Sequence, residues 1–296
     1  MLNFTEDLGL GHLLTQPYSR VKPVPHLRDI EVRRNDIRLG KMLGEGHFGE
    51  VWEGQLHDKM PVAVKVLKEG SMTKESFMSE ARIMNKLRHR RLVQLLAVCT
   101  EREQTLIVME FLAKGPLLSY LKGNTCSFQD YATISLQIAE GMAFLETQNY
   151  IHRDLRAANV LVGEDDDVKV ADFGLARVLT DEQIYTMSQS TPLPVKWTAP
   201  EALKSQNFSS KSDVWSYGVL LYEIITDGRD PYPGMTGPEI VSEVGNGYQM
   251  AKPNVSEDVL NTFYPIMQAC WNLAPNKRPT FVALHQHLFN ISQQLT

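Results

Sequence analysis

The sequence predicts an α+β chain of two unequal lobes, a small one made mainly of strands with one helix and a larger one made mainly of helices. Three observations carry this. From Leu39 to about Leu67, short apolar and β-branched runs alternate with glycines, the mark of strands joined by tight turns. After Gly115 the apolar spacing becomes helical: Ile134, Ile138, Met142 and Leu145 recur at i, i+4, i+8 and i+11, one face of a helix. With 296 residues, 43% hydrophobic and 22% charged, the chain can bury roughly 75% of its unfolded surface, enough for two packed lobes.

In chain order, Pro17, Pro23 and Pro25 prevent a continuous helix near the start, and the basic run Arg28 to Arg38 leads into the first strand pattern at Leu39. Residues 1–37 therefore read as a remnant (1–18) and a linker (19–37), followed by the small lobe (38–113) and the large lobe (114–296). The small lobe's helix is expected over Thr73 to Leu87, with further strands at Leu92–Val98 and Thr105–Phe111. The lobes join near residues 110–115. Later helices are expected around Lys211–Ile225, Gly237–Val244, Leu260–Trp271 and Thr280–Leu288.

Composition excludes several classes. No apolar stretch approaches the 18 residues of a membrane-spanning helix. A net charge of -5, from 30 basic and 35 acidic residues, argues against a nucleic-acid partner. Cys99, Cys126 and Cys270 are odd in number and far apart, so neither a disulfide framework nor a zinc site is expected, and a reducing intracellular compartment fits. No signal-peptide pattern opens the chain, and Leu2 stands where N-myristoylation needs glycine.

Three stretches carry chemistry. Gly44-x-Gly46-x-x-Gly49-x-Val51 sets glycines between two apolar runs, where missing side chains let backbone N–H groups approach a phosphate. A glycine-rich hairpin turn without a ligand has the same pattern. A dinucleotide fingerprint needs its third glycine to open a helix, whereas Glu50-Val51-Trp52-Glu53 reads as another strand, so a strand-loop-strand lid over a nucleotide is expected. In Pro61 to Leu67, Lys65 lies within an apolar run, and either strand face buries part of an ammonium that needs an anion. In the next helix Phe77, Ala81 and Met84 mark the core face, and Glu80 lies close to it. An ion pair between Lys65 and Glu80 is expected, structural or catalytic. The third stretch runs from Tyr150 to Gly174. Val160-Leu161-Val162 and Val168-Lys169-Val170 flank a polar turn and are expected to pair as a hairpin, bringing Asn159 and Asp172 to its open end with Asp154 nearby. Two oxygen donors there form a candidate hard-cation site. His152 alone reads as a satisfied core histidine, and Asp165-Asp166-Asp167 as a solvated turn.

Taken in order, the glycine loop, Val62-Ala63-Val64-Lys65, Glu80, His152-Arg153-Asp154 to Asn159, Asp172-Phe173-Gly174 and Ala199-Pro200-Glu201 resemble the eukaryotic protein kinase signature set. The resemblance spans about residues 38–289 and implies the two-lobed protein kinase fold. Arg156, where serine/threonine kinases usually carry lysine, and Pro194-Val195-Lys196-Trp197 before Thr198 resemble the Src-related cytoplasmic (non-receptor) tyrosine kinase family.

What this resemblance implies is ATP-dependent phosphoryl transfer to tyrosine hydroxyls of protein substrates. Lys65, paired to Glu80, would hold the α- and β-phosphates; Asn159 and Asp172 would bind Mg²⁺, with Mn²⁺ an alternative; Asp154 would accept the phenol proton, and Arg156 would position the phenol. Glu110-Phe111-Leu112 would be the hinge that meets adenine. Leu43, Gly44, Gly46, Gly49, Val51 and Ala63 would cover the nucleotide, with Leu161 beneath it and Met109 as gatekeeper. Met84, Leu95, His152 and Phe173 would form an internal stack. Tyr185 would be an autophosphorylation site whose phosphate recruits Arg153 and Arg177. The implied partners are tyrosine-bearing proteins and ATP-site inhibitors, and the implied state is a monomer that self-associates transiently for autophosphorylation. The implied location is the cytoplasm, at the inner face of the plasma membrane in a full-length protein. Residues 8–18 resemble the last strand and exit of a Src-homology phosphotyrosine-binding domain, so 1–18 reads as that domain's end and Val21 to Pro25 as a docking linker.

Three features depart from the Src pattern. Met109 replaces threonine, so inhibitors that reach past it are expected to bind poorly. Ile30 replaces a linker tryptophan, which puts the usual coupling of linker to the Glu80 helix in doubt. The chain ends at Thr296 without an inhibitory tail tyrosine, as truncation or a tail-less relative of the Srm or Brk branch would. The competing classes are a pseudokinase scaffold, an interaction module or nucleotide sensor, and a serine/threonine or small-molecule kinase. Retention of Lys65, Asp154, Asn159 and Asp172 weighs against the first.

Overall fold

The computed structural model describes residues 25–46, 49–68, 73–101, 105–179, 185–186 and 193–295. The expected domain remnant at 1–18, the linker through residue 24, His47 and Phe48 of the glycine loop and most of the segment around Tyr185 lie outside the described residues.

The small lobe is a five-stranded antiparallel sheet in the order β1-β2-β3-β5-β4. Its strands are β1 (Ile37–Gly46), β2 (Gly49–Leu56), β3 (Met60–Leu67), β4 (Leu95–Cys99) and β5 (Leu106–Glu110). The pleat sorts β3 by parity. Val62, Val64 and Val66 join Ala97, Leu106 and Val108 in one apolar cluster, so Lys65 points to the opposite face. Val98 and Ile107 pack there with Phe77, Ala81 and Met84 of α1 (Lys74–Lys86). Thr73 starts that helix, its hydroxyl accepting from the Ser76 N–H at 3.1 Å. One strand register thus aims Lys65 at the helix that carries Glu80.

The expected strand at Leu92–Val98 begins only at Leu95. Leu92 and Val93 leave the sheet because they bond to the large lobe: Leu92 bridges Val170, and the Val93 N–H donates to Val170 O at 2.9 Å. The first strand begins at Ile37 rather than Leu39. Before it, Leu27 and Ile30 pack against the core, Val32 N–H donates to Val98 O, and Asn85 of α1 donates through Nδ2 to Pro25 O at 2.6 Å. The segment around Ile30 therefore still touches α1 without the tryptophan.

The large lobe begins with β6 (Gly115–Pro116), α2 (Leu117–Gly123) and α3 (Phe128–Thr147), where Ile134, Ile138, Met142 and Leu145 are buried as their spacing requires. Then come β7 (Tyr150–Ile151), β8 (Val160–Val162), β9 (Val168–Val170), β10 (Arg177–Val178), β11 (Tyr185–Thr186), α4 (Pro200–Ser205), β12 (Asn207–Phe208), α5 (Ser210–Ile225), α6 (Gly237–Gly245), α7 (Glu257–Cys270) and α8 (Phe281–Gln294). From Ser212 to Ile225, α5 is buried on every side, with α7 and α3 packed against it; a helix apolar all round belongs in a core. Two helices run longer than expected, α7 starting at Glu257 and α8 continuing to Gln294. No helix among the described residues is long and apolar enough to cross a membrane.

Candidate active site

Lys65 is buried, and its Nζ donates to both Glu80 oxygens at 2.8 Å and lies 3.3 Å from Asp172 Oδ1. Burial alone would push the ammonium down. The two carboxylates overcome that and hold it above its ordinary range, so it stays charged. Burial likewise pushes Glu80 up, against the pull of Lys65. Asp172 sits in the left-handed region at φ 62°. Burial would raise its carboxyl, but Lys65, with help from His152 and the Gly174 N–H, keeps it below its ordinary value. A side chain at Gly174 would place its Cβ 3.2 Å from Asp172 Oδ1 and 3.5 Å from Glu80 Oε2, so glycine there leaves the cluster room.

The hairpin forms as its triplets require. Val160, Leu161 and Val162 pair with Val170, Lys169 and Val168, and Ala171 N–H donates to Asn159 O at 2.8 Å, which joins the ends carrying Asn159 and Asp172. Asn159 Nδ2 donates to Asp154 O at 2.8 Å, so the amide oxygen is the atom of this side chain suited to a cation. Asp154 is buried, with Arg156 Nε 3.0 Å from its Oδ1, but that contact is off-line and Oδ1 accepts no hydrogen bond among the described residues. Burial drives the Asp154 carboxyl up to about 6; Arg156 opposes this and the charge of Asp172 adds to it. The Arg156 guanidinium stands 5.6 Å over the Trp197 ring.

Of the residues expected around a nucleotide, Gly44 pairs with Val51, Val51 with Lys65, and Ala63 with Met109. Gly46 pairs with Gly49 at the loop's base, and Leu43 is exposed above it. Glu110 ends β5, Leu112 is buried, and Leu161 is half-buried in β8. Met84, Leu95, His152 and Phe173 are all buried, with the His152 and Phe173 rings edge-to-face at 5.5 Å. His152 is the satisfied core histidine expected, its Nε2 at 2.9 Å from Ala171 O. The acidic turn differs from a purely solvated one: Asp166 Oδ1 accepts from Lys114 Nζ at 2.7 Å and from Tyr120 OH at 2.8 Å. Tyr185 pairs through its backbone with Phe208, over whose ring the Arg153 guanidinium stands at 5.4 Å. Arg177 donates to the Gly174 and Ala176 carbonyls.

Residues 37–288 match the family model described as protein tyrosine and serine/threonine kinase. The chain belongs to this protein kinase family. It is 51% identical over 263 residues to tyrosine-protein kinase FRK of Homo sapiens, covering 87% of this chain and 52% of that protein. It is 45% identical over 294 residues to tyrosine-protein kinase Src64B of Drosophila melanogaster, covering 96% and 53%. The chain spans about half the length of these curated relatives.

Three buried groups of the kinase escaped the sequence reading. Asp213 accepts the N–H groups of His152 at 2.7 Å and Arg153 at 2.9 Å, fixing the loop where Arg153 takes φ 69°, and burial lifts its carboxyl to about 6. Glu223 accepts from Ala157 N and Trp197 Nε1, and burial lifts it to about 7. Both stand within the apolar run of α5, where an acidic residue was the available signal. Arg278, fully buried, donates to both Glu201 oxygens at 2.6 and 2.8 Å, to Lys211 O at 2.8 Å and to Asn272 O at 2.8 Å. Arg278→Met leaves that carboxylate without its partner and should cost about 3–5 kcal/mol, read as a lower urea midpoint with an unchanged slope.

Proposed function

We propose that this chain is the catalytic domain of a non-receptor protein tyrosine kinase. The observation that carries this is the meeting of a small-lobe ammonium, Lys65, with Asp172 of the large lobe at 3.3 Å, beside the hairpin end that holds Asn159 and Asp154. Lys65 holds the α- and β-phosphates of ATP. Asn159 and Asp172 would hold Mg²⁺ or Mn²⁺. Two oxygen donors suffice for an ion that takes its other ligands from phosphate and water. The metal, when bound, neutralises charge on the transferring group.

Asp154 Oδ1, buried and without a hydrogen bond among the described residues, takes the phenol proton as the tyrosine oxygen bonds to the γ-phosphorus and the bond to the ADP oxygen breaks. Arg156, held between Asp154 and Trp197, orients the phenol. Chemistry asks little more than alignment and charge. Phosphorylated Tyr185 would order its loop by drawing on Arg153 and Arg177, and residues 1–37 belong to an upstream phosphotyrosine-binding domain and linker, in a protein of the cytoplasm. The test is incubation with ATP, Mg²⁺ and a poly-Glu/Tyr acceptor beside serine and threonine peptides. Phosphotyrosine alone is expected, and product on the serine or threonine peptides only would overturn the assignment. Tyr185→Phe is expected to lose the rise in rate that preincubation with ATP and Mg²⁺ gives the parent; equal rises in both remove the role of Tyr185.

A further inference from the structure

We propose that Asp230 is a specificity-determining residue for the acceptor: paired to Lys196 beside the phenol site, it withholds that lysine from acidic side chains next to the tyrosine. The role rests on the kinase reading above. Lys196 lies in the single turn Val195–Trp197, packed on α5 and α6. The next residue, Trp197, carries the Arg156 guanidinium over its ring at 5.6 Å and donates through Nε1 to Glu223 at 2.9 Å. Asp154 and Arg156 place the phenol, so the residues flanking an acceptor tyrosine pass over this turn and meet Lys196. Its ammonium is already engaged. Lys196 Nζ donates to Asp230 Oδ2, with the lysine side chain three-quarters buried and the carboxylate exposed.

Asp230 is held where this pairing requires. It lies in the loop after α5, where Asp227 takes φ 53° and Gly228 φ 77°. The Gly228 N–H donates to Glu223 O at 2.7 Å, and a Cβ there would stand 3.1 Å from Lys122 Cγ and 3.3 Å from Leu118 O. Glycine thus lets the loop lie against α2. Between loop and helix opens a recess of about 650 Å³ whose lining includes Lys122, Tyr222, Arg229, Asp230 and Pro233, room for a side chain of the acceptor. Its two carboxylates are both engaged, Asp227 by the Tyr131 hydroxyl at 2.7 Å and Asp230 by Lys196. An exposed ion pair contributes little to stability, but at a binding rim its charges decide which partner is admitted. With Asp230 in place the acceptor meets a neutralised lysine and a carboxylate that repels another. Without that charge it meets Lys196, Lys122 and Arg229.

The test measures kcat/KM with ATP and Mg²⁺ on the full chain, for tyrosine peptides that carry Glu, Gln or Lys beside the tyrosine on one flank or the other. Asp230→Asn should raise the Glu-to-Gln ratio about three- to tenfold on at least one flank, through KM, and lower the Lys-to-Gln ratio. The gain should shrink as salt is added, while kcat on the Gln peptide and the melting temperature stay close to the parent's. Adding Lys196→Gln to the same chain should remove the gain. A smaller rise on both flanks, a gain that survives Lys196→Gln, or a gain indifferent to salt would each overturn the role of Asp230. A parent chain that phosphorylates none of the peptides would overturn the kinase reading and this role with it.

Discussion

Lys65→Met is expected to cut phosphotyrosine formation by about a hundred- to a thousandfold or more, the scale of losing a preorganised charge at the reacting group. The same substitution should expose what Lys65 does for the fold. Glu80 is 3% exposed, and Lys65 is the cation that bonds it among the described residues. Stripped of its partner as an ion it would cost about 3–5 kcal/mol, so it takes up a proton instead. Burial already raises its carboxyl while Lys65 is present; without Lys65 the folded-state value rises further. A raised value means the folded state keeps a proton that the unfolded chain releases in the ordinary glutamate range. The stability this confers is complete below that range and is lost as pH climbs through the folded value. The deficit of Lys65→Met against the parent should therefore be small near pH 5 and widen toward pH 8 in denaturant titrations. A deficit that stays constant across that span would mean Glu80 is not the buried group left behind.

How much of this was legible in advance follows from where each residue sits. Lys65 and Glu80 were readable because each breaks a pattern: a cation inside an apolar strand, and a carboxylate one step from the core stripe of a short helix. The period of 3.6 set Glu80 close to the core stripe, while the apolar run left either strand face open to Lys65; the structure chooses the face and joins the two at 2.8 Å. The Asn159 and Asp172 ends were readable because two β-branched triplets across a polar turn admit one pairing. Asp213 and Glu223 were harder, since α5 is buried all round and periodicity cannot say which direction an acidic side chain faces. Arg278 and the Glu110–Lys169 pair escaped altogether: their partners lie 77 and 59 residues away and are set by how helices and lobes dock. Leu92 and Val93 read as strand because they are apolar, and only their bonds to Val170 show that they serve the junction.

Asp154→Asn is expected to lower kcat by about 10²–10⁴-fold, the range for loss of a positioned base, while nucleotide affinity held by Lys65 and the hinge changes little. The amide keeps the shape and the contact with Arg156 but cannot take the phenol proton. Because burial lifts the Asp154 carboxyl to about 6, the parent's kcat/KM should fall as pH drops through about 6, where the carboxyl becomes protonated. Asp213 titrates near 6 and Glu223 near 7 in the same protein, so an acid limb alone does not identify the base. Their effect is on folding: both are raised, so the stability they confer is lost as pH rises through those values, opposite in sense to the activity. In Asp154→Asn the residual rate should be flat from pH 5.5 to 7.5, while the pH trend of the melting temperature set by Asp213 and Glu223 persists. An acid limb that survives in Asp154→Asn would assign the proton acceptor elsewhere.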